Sequence, residues 1–341
     1  MAVRVGINGF GRIGRSFYRA ILERGADAGV ELVAVNDPFG DAETMSFLLK
    51  HDSVGGTLKQ EIAVVDGGFS VDGILIKKLE VREPSEIPWG AEGIDVVIES
   101  TGLFTARESA AAHLVGGAKR VIISAPSADA DATICMGVND SVFDPGSHAV
   151  ISNASCTTNC LAPLVKVLDD AFGVEQGFIT TVHAYTSDQQ LQDMAVATRS
   201  GKPDLRRMRA AALSIIPNST GAARAIGLVM PHLKGKLDGM ALRVPTPTGS
   251  ITDLVATLSS DADIDAINAA FANAAATPSY RGVLKYSNEP LVSADIVHDP
   301  SSCIYSAVDT MANGRQVKVL GWYDNEWGYS NRLVDLVGFV G

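Results

Sequence analysis

Disulfide chemistry has little to work with in this chain of 341 residues, which holds only four cysteines, Cys135, Cys156, Cys160 and Cys303. A chain this long builds real cores, so a small disulfide-stapled scaffold is excluded; no C-x-x-C pair and no Cys/His spacing of a zinc site occurs, so the cysteines read as reduced thiols and no metal is expected. Basic residues are the minority charge: 28 Lys and Arg stand against 39 Asp and Glu, a formal net charge of −11. Such a chain repels a phosphodiester backbone, so nucleic acid is not expected as a primary partner. No apolar run approaches the ~18 residues that cross a bilayer, and the first residues lack a basic, apolar and cleavable leader pattern. A soluble, cytoplasmic protein with no membrane attachment is the expectation. No repeat of roughly 20–50 residues is visible, and no flexible linker interrupts the chain.

What is present is an ordinary globular mix, 46% hydrophobic and 20% charged, enriched in glycine at 33 residues. The length suits two domains of roughly 100–200 residues each. Ala2 to Ile7 is apolar, glycines follow, and Ile13, Phe17, Ala20 and Ile21 then recur at helical spacing, which predicts strand, Gly-rich turn and helix. A second buried strand, Val30 to Val35, ends at Asn36-Asp37-Pro38. Apolar runs at Asp95 to Ile98 and Arg120 to Ser124 bracket a predicted helix over Ala106 to Leu114, continuing a doubly wound parallel pattern to about residue 155. From Phe178 onward the runs alternate (Phe178 to His183, Met240 to Val244, Ser250 to Leu258), which predicts a second α+β domain with a mostly antiparallel sheet.

Gly9-Phe10-Gly11-Arg12-Ile13-Gly14 fits G-x-G-x-x-G between a strand and a helix, where backbone N–H groups and the helix dipole hold a pyrophosphate. Asp37, 23 residues past Gly14, ends the next strand, where a carboxylate accepts ribose hydroxyls and repels a 2′-phosphate, favouring NAD over NADP. Cys156 stands in Ser155-Cys156-Thr157-Thr158-Asn159-Cys160 ahead of the apolar helical run Leu161 to Leu168, with Pro163 placed to fit its first turn. A thiol at a helix N-terminus has its thiolate stabilised, so Cys156 is a candidate nucleophile, whereas Cys160 reads as a small buried hydrophobe. Of six histidines, His183 ends a strand and opens a polar segment, which suits a proton acceptor held rigidly. His51, His113, His148, His232 and His298 sit among charged or loop residues and read mostly as solvated. Arg243 lies in an apolar strand, where a guanidinium needs either a ligand anion or an internal carboxylate. Asn218-Ser219-Thr220-Gly221 precedes the predicted helix Ala222 to Leu228 and is either an anion cradle or an ordinary cap. Arg206, Arg207 and Arg209 are readable as a solvated basic cluster.

Five segments together resemble the phosphorylating glyceraldehyde-3-phosphate dehydrogenase family: Val5–Arg15, Ser155–Cys160, His183–Thr186, Arg243–Pro247 and Trp322–Glu326. They span nearly the whole chain. The resemblance implies a glycolytic enzyme that oxidises glyceraldehyde 3-phosphate with NAD and inorganic phosphate, through a Cys156 thiohemiacetal and thioester with His183 as base. It assigns Thr186 and Arg243 to the substrate phosphate. Ser155, Thr157, Thr220, Gly221 and Arg207 fall to the attacking phosphate, with Arg206 as the alternative to Arg207. For the cofactor it assigns Gly9, Gly11, Arg12, Ile13 and Gly14 to the pyrophosphate turn, Asp37 to the ribose, Arg82, Thr101 and Ser124 to flanking contacts, and Asn325 to the nicotinamide amide. It implies an NAD-binding Rossmann domain over 1–155, with a C-terminal helix, 322–341, packing back on it. The catalytic domain would cover 156–321, and the family's usual state is a homotetramer. Two departures stand out: the stretch 190–205 is longer than the family's common form, and Ser187 replaces a frequent asparagine. Two other readings are a sister enzyme acting on erythrose 4-phosphate, and a cofactor-binding scaffold or thiol acyltransferase without hydride transfer. Intact Cys156, His183 and Arg243 argue against the second.

Overall fold

Strands whose residues are apolar without alternation must be covered on both faces, and the first half of the chain is built that way. Val5, Ile7, Val35, Ile98 and Ile122 are all fully buried. A computed structural model, which describes residues 2–195 and 204–341, divides the chain into two units. Part of the longer stretch at 190–205, namely residues 196–203, lies outside the described residues.

The first unit runs to Ser155 and takes in Ser330–Gly341. Its sheet has the strand order Ala132–Thr133, Val150–Ser152, Arg120–Ile123, Val96–Glu99, Val3–Asn8, Val30–Asn36, Ile74–Leu79, Gly68–Val71, Ile62–Val65. All pairings are parallel except the last two. The doubly wound Rossmann-type expectation is met. The segment from Ser330 is stitched to this unit by Arg24, which bonds Asp335 at 2.5 Å and Asn331 at 2.9 Å, and by Arg120, which donates to the Val340 carbonyl at 2.7 Å. The closing helix spans Trp327–Val340, not 322–341. Trp322 and Tyr323 end the strand Gln316–Tyr323, and Asp324 caps the helix by accepting from the Trp327 N–H.

The second unit, Cys156–Tyr329, has the strand order Ile216–Ser219, Leu237–Val244, Val174–Ala184, Ser250–Leu258, Gln316–Tyr323, Cys303–Asn313, Leu284–Ser287. Four neighbouring pairs are antiparallel, as expected, and two are parallel. One of those parallel pairs, Val174–Ala184 with Leu237–Val244, needs a crossover, and the helix Ala222–Val229 lies within it. Its register sets His183 beside Arg243. Along Val174–Ala184, buried Ile179, Thr181 and His183 alternate with less buried Phe178, Thr180 and Val182, the period-2 signature of one covered face. The helices Cys156–Phe172, Ala222–Val229 and Ile264–Ala275 pack on the sheet. The first of these starts at Cys156, so Pro163 is interior to it and not in its first turn. A proline there removes one backbone hydrogen bond, and near-complete burial from Thr157 to Leu168 offsets that loss.

Candidate active site

Cys156 opens its helix, and the strand Val150–Ser152 leads toward it through Ala154, a non-glycine residue held at φ +54°. Strain of this kind persists only where the surroundings over-determine it. The Cys156 Sγ lies 3.4 Å from Nε2 of His183. The other ring nitrogen, Nδ1, lies 2.7 Å from the Ala184 carbonyl oxygen. So short a contact with an oxygen that can only accept places the proton on Nδ1 and leaves Nε2 free to accept the thiol hydrogen. Burial, and then the nearby Arg243 charge, push the His183 imidazole down to about 3. Burial pushes the Cys156 thiol up, against the pull of Arg243 and of hydrogen bonds from the Thr157 side chain and backbone. Both shifts favour the neutral thiol–imidazole pair at rest. Beneath it runs a buried chain of hydroxyls, Thr157 Oγ1 to Tyr323 OH at 2.8 Å and Tyr323 OH to Thr181 Oγ1 at 2.7 Å. The Tyr323 ring meets His183 edge-on at 5.9 Å.

Arg243 Nη1 donates to the Ala184 carbonyl at 3.0 Å and to Thr186 Oγ1 at 2.9 Å. Its buried Nε has no partner among the described residues, so this donor stays unsatisfied beside a fixed positive charge. Thr186 donates to Asp188, which also pairs with Arg207. Burial opposes the Asp188 charge, but the Thr186 bond and the two arginines outweigh it and hold the carboxyl below its ordinary range. Arg207 therefore joins the Thr186–Arg243 cluster, whereas the side chain of the exposed Arg206 reaches, among the described residues, the Pro217 carbonyl at 3.4 Å. Thr220 and Gly221 precede the helix Ala222–Val229, which packs against the Cys156 helix, and Thr220 Oγ1 accepts from the Ala222 N–H at 3.2 Å. Thr157 is buried, and its hydroxyl serves Tyr323 and the sulfur.

In the first unit, the helix Arg12–Arg24 begins at Gly11 with no side-chain cap, leaving backbone donors for an anion. Gly9 sits at φ +91°, and a Cβ there would come 2.7 Å from the Thr101 nitrogen; at Gly14 it would come 2.5 Å from the Gly9 oxygen. The turn is thus closed on the protein side, while a Cβ on Gly11 would meet nothing within 4 Å. Asp37 accepts from the N–H of Phe10 and of Phe39, each at 2.9 Å. Arg82 stacks over the Phe39 ring at 5.2 Å. Ser124 donates its N–H to the Glu99 carbonyl at 3.0 Å, and Ile13 is half-buried. Arg12 forks onto Asp52, at 2.7 Å and 3.3 Å. Burial opposes the Asp52 charge, yet N–H groups of Gly55 and Val54 and the Arg12 guanidinium bring it to about 2. The residues fit a pyrophosphate over the uncapped helix and a ribose at Asp37.

Glu99 was not singled out by its sequence. Its fully buried carboxylate accepts from Asn8 at 2.6 Å, from His113 at 2.9 Å and from the Thr101 N–H at 2.9 Å and hydroxyl. His113, expected in solvent, is instead fully enclosed, its Nδ1 accepting the Trp89 indole N–H at 3.0 Å. An acid closing an apolar strand just before the turn that contacts Gly9 was the available signal. Asn325 lies in the second unit, buried, with Oδ1 2.9 Å from Ser250 Oγ. Among the described residues no cluster of His, Cys, Asp and Glu is arranged to hold a metal, and no helix is long and apolar enough to cross a membrane.

Comparison with known proteins agrees with this geometry. The family model described as the glyceraldehyde 3-phosphate dehydrogenase NAD binding domain matches residues 3–107, and that of the same enzyme's C-terminal domain matches residues 155–325. Glyceraldehyde-3-phosphate dehydrogenase of Streptomyces coelicolor is 56% identical over 342 residues, covering 100% of this chain and 99% of that protein. The proteins of that name from Mycobacterium avium and Mycobacterium tuberculosis are 59% and 60% identical over 346 residues, with the same coverage. The chain belongs to the glyceraldehyde 3-phosphate dehydrogenase family.

Proposed function

We infer that this chain is the glycolytic, NAD-dependent enzyme that converts glyceraldehyde 3-phosphate and inorganic phosphate to 1,3-bisphosphoglycerate. The observation that carries the chemistry is the Cys156 thiol 3.4 Å from a histidine nitrogen that is free to accept its proton. Cys156 sulfur forms a bond to the aldehyde carbon as its proton passes by way of His183 to the carbonyl oxygen, which receives the carbonyl electron pair, giving a thiohemiacetal. His183 then takes that hydroxyl proton back as the hydride leaves the same carbon and the carbonyl re-forms as a thioester. Bound NAD supplies the hydride acceptor. Phosphate oxygen attacks the thioester carbon, the carbon–sulfur bond breaks, and the electron pair returns to Cys156 as thiolate.

Thr186 and Arg243 hold the substrate phosphate in this reading, which the bond between them and the unpartnered Arg243 Nε support. Arg207, Ser155, Thr220 and Gly221 hold the attacking phosphate, and Thr157 supports both that site and the sulfur. Gly9, Gly11, Arg12, Ile13 and Gly14 receive the pyrophosphate and Asp37 the ribose. Arg82, Thr101 and Ser124 flank the cofactor, and Asn325 orients the nicotinamide amide. The domain assignment in this reading is 1–155 with a returning C-terminal helix and 156–321 as the catalytic part; the second compact unit runs on to Tyr329. A homotetramer is supported by apolar residues left exposed in the second unit: Phe178 at 74%, Leu191 at 87%, Leu213 at 85% and Ile215 at 67%. The cytoplasm, where glycolytic oxidation takes place, is the proposed location.

The test is NADH formation from glyceraldehyde 3-phosphate with and without inorganic phosphate, with the product identified. Dependence on phosphate and an acyl phosphate product are expected. Release of free acid at the same rate without phosphate, or faster turnover of erythrose 4-phosphate, overturns the reading. Light scattering should give four times the 35.8 kDa chain mass.

A further inference from the structure

Asn325 has its amide polarity imposed from one side. Ser250 Oγ accepts the Ala184 N–H at 3.0 Å and gives its own hydrogen to Asn325 Oδ1 at 2.9 Å. Thr248 Oγ1 is also within reach of that oxygen, at 3.3 Å, but it lies 2.7 Å from the Asp324 carboxylate, the stronger acceptor for its single proton. Asp324 is in turn held by the His298 N–H at 2.8 Å and by the Glu326 and Trp327 N–H groups at 3.0 and 2.9 Å. Between the two hydroxyls, Gly249 sits at φ +88°, where a Cβ would come 2.4 Å from the Ser293 oxygen. That turn sets Thr248 and Ser250, both buried, against one amide.

We propose that Ser250 is a positioning residue which fixes the Asn325 amide with its NH2 group presented to the nicotinamide carboxamide oxygen, and so selects which face of the ring meets the substrate. The proposal rests on the assignment of Asn325 above. The oxygen and nitrogen of a side-chain amide differ little in shape, so only hydrogen bonding decides which end points where. Without the Ser250 hydroxyl the amide rotates and offers a carbonyl to a carbonyl. Ser250 also reaches the catalytic base: Ala184, whose N–H it accepts, takes the His183 Nδ1 proton on its carbonyl. The base and the cofactor anchor thereby share one support.

The experiment compares Ser250→Ala, Ser250→Thr and Asn325→Ala with the parent. NAD affinity is measured by calorimetry, and the ring face labelled by 1-deuterated glyceraldehyde 3-phosphate is read by NMR of the reduced cofactor. Ser250→Ala is expected to weaken NAD about tenfold and to place deuterium on both faces, while Ser250→Thr, which keeps the hydroxyl, restores a single face. A purely structural loss would lower melting temperature without moving the stereochemistry. If Ser250→Ala does not fold, Ser250→Cys answers the same question with a weaker donor. Single-face transfer and NAD affinity within twofold of the parent in the folded Ser250 variant overturn the proposal. An Asn325→Ala variant with unchanged NAD affinity and face would remove the assignment of Asn325 itself. Loss in Asn325→Ala with none in Ser250→Ala removes only the role of Ser250.

Discussion

Each unit buries a histidine, and the two are put to opposite uses. His113 in the first unit is saturated, with an indole N–H on one nitrogen and a carboxylate on the other. His183 in the second has one nitrogen committed to a carbonyl and the other turned to a thiol, beside a guanidinium that discourages its charge. Burial alone therefore says nothing about catalysis. What distinguishes the pair is whether one nitrogen is left facing a reactive atom.

That distinction is broken or sharpened most strongly by removing the reactive atom. Cys156→Ser is expected to lower kcat/KM by at least about a thousandfold while NAD still binds, measured by steady-state kinetics and calorimetry. His183→Asn should cost roughly a hundredfold or more in kcat with the fold retained. His113→Asn should do the reverse, leaving Glu99 and Trp89 under-satisfied at a cost of about 2–4 kcal/mol in unfolding free energy, followed by denaturant melts. Equal kinetic losses in both histidine variants would erase the comparison.

The next effect concerns the anion cluster. Arg207→Ala is expected to weaken use of the phosphate ligands by tens of fold, roughly 2 kcal/mol, and Arg206→Ala to change kinetics by less than about twofold. The comparison is made by titrating inorganic phosphate and substrate separately. Replacing Asp37 with Asn should narrow the preference for NAD over NADP by about tenfold, read as the ratio of the two kcat/KM values.

The smallest effect is a displacement along the pH axis. Because burial holds the proton on Cys156 and the Arg243 charge pulls it off, Arg243→Ala should move iodoacetamide alkylation of Cys156 to higher pH. The His183 imidazole is depressed from 6.5 to about 3 by burial and Arg243, so the unfolded chain binds its proton first. Its stabilising contribution is full above pH 6.5 and is lost as pH falls toward 3. The parent's acid-side loss of stability should therefore be steeper than that of His183→Asn.

The nucleotide half was the more legible of the two in sequence, because its information is local. Gly9, Gly11, Gly14 and Asp37 lie within one strand–turn–helix–strand unit, and the packing around Gly9 and Gly14 leaves no room for a Cβ. The catalytic half gave its individual residues but not their meeting. That His183 stands beside Arg243 follows from a parallel register across a crossover, and no spacing along the chain encodes it. The choice of Arg207 over Arg206 likewise depends on where Asp188 points. Glu99 and His113 were missed because their partners come from Asn8, Trp89 and Thr101, on separate strands and loops. The helix carrying Cys156 began earlier than Pro163 suggested, since propensity yields to the burial of a whole helical face.

The return of Ser330–Gly341 to the first unit has a consequence in time. During synthesis the residues through Ser155 leave the ribosome early, but Arg24 waits for Asn331 and Asp335, and Arg120 for the Val340 carbonyl. At about 5–20 residues per second, the intervening second unit delays those partners by on the order of ten to thirty seconds. The nascent nucleotide-binding half stays incomplete throughout that interval, so the part of the chain that emerges first is among the last to finish folding.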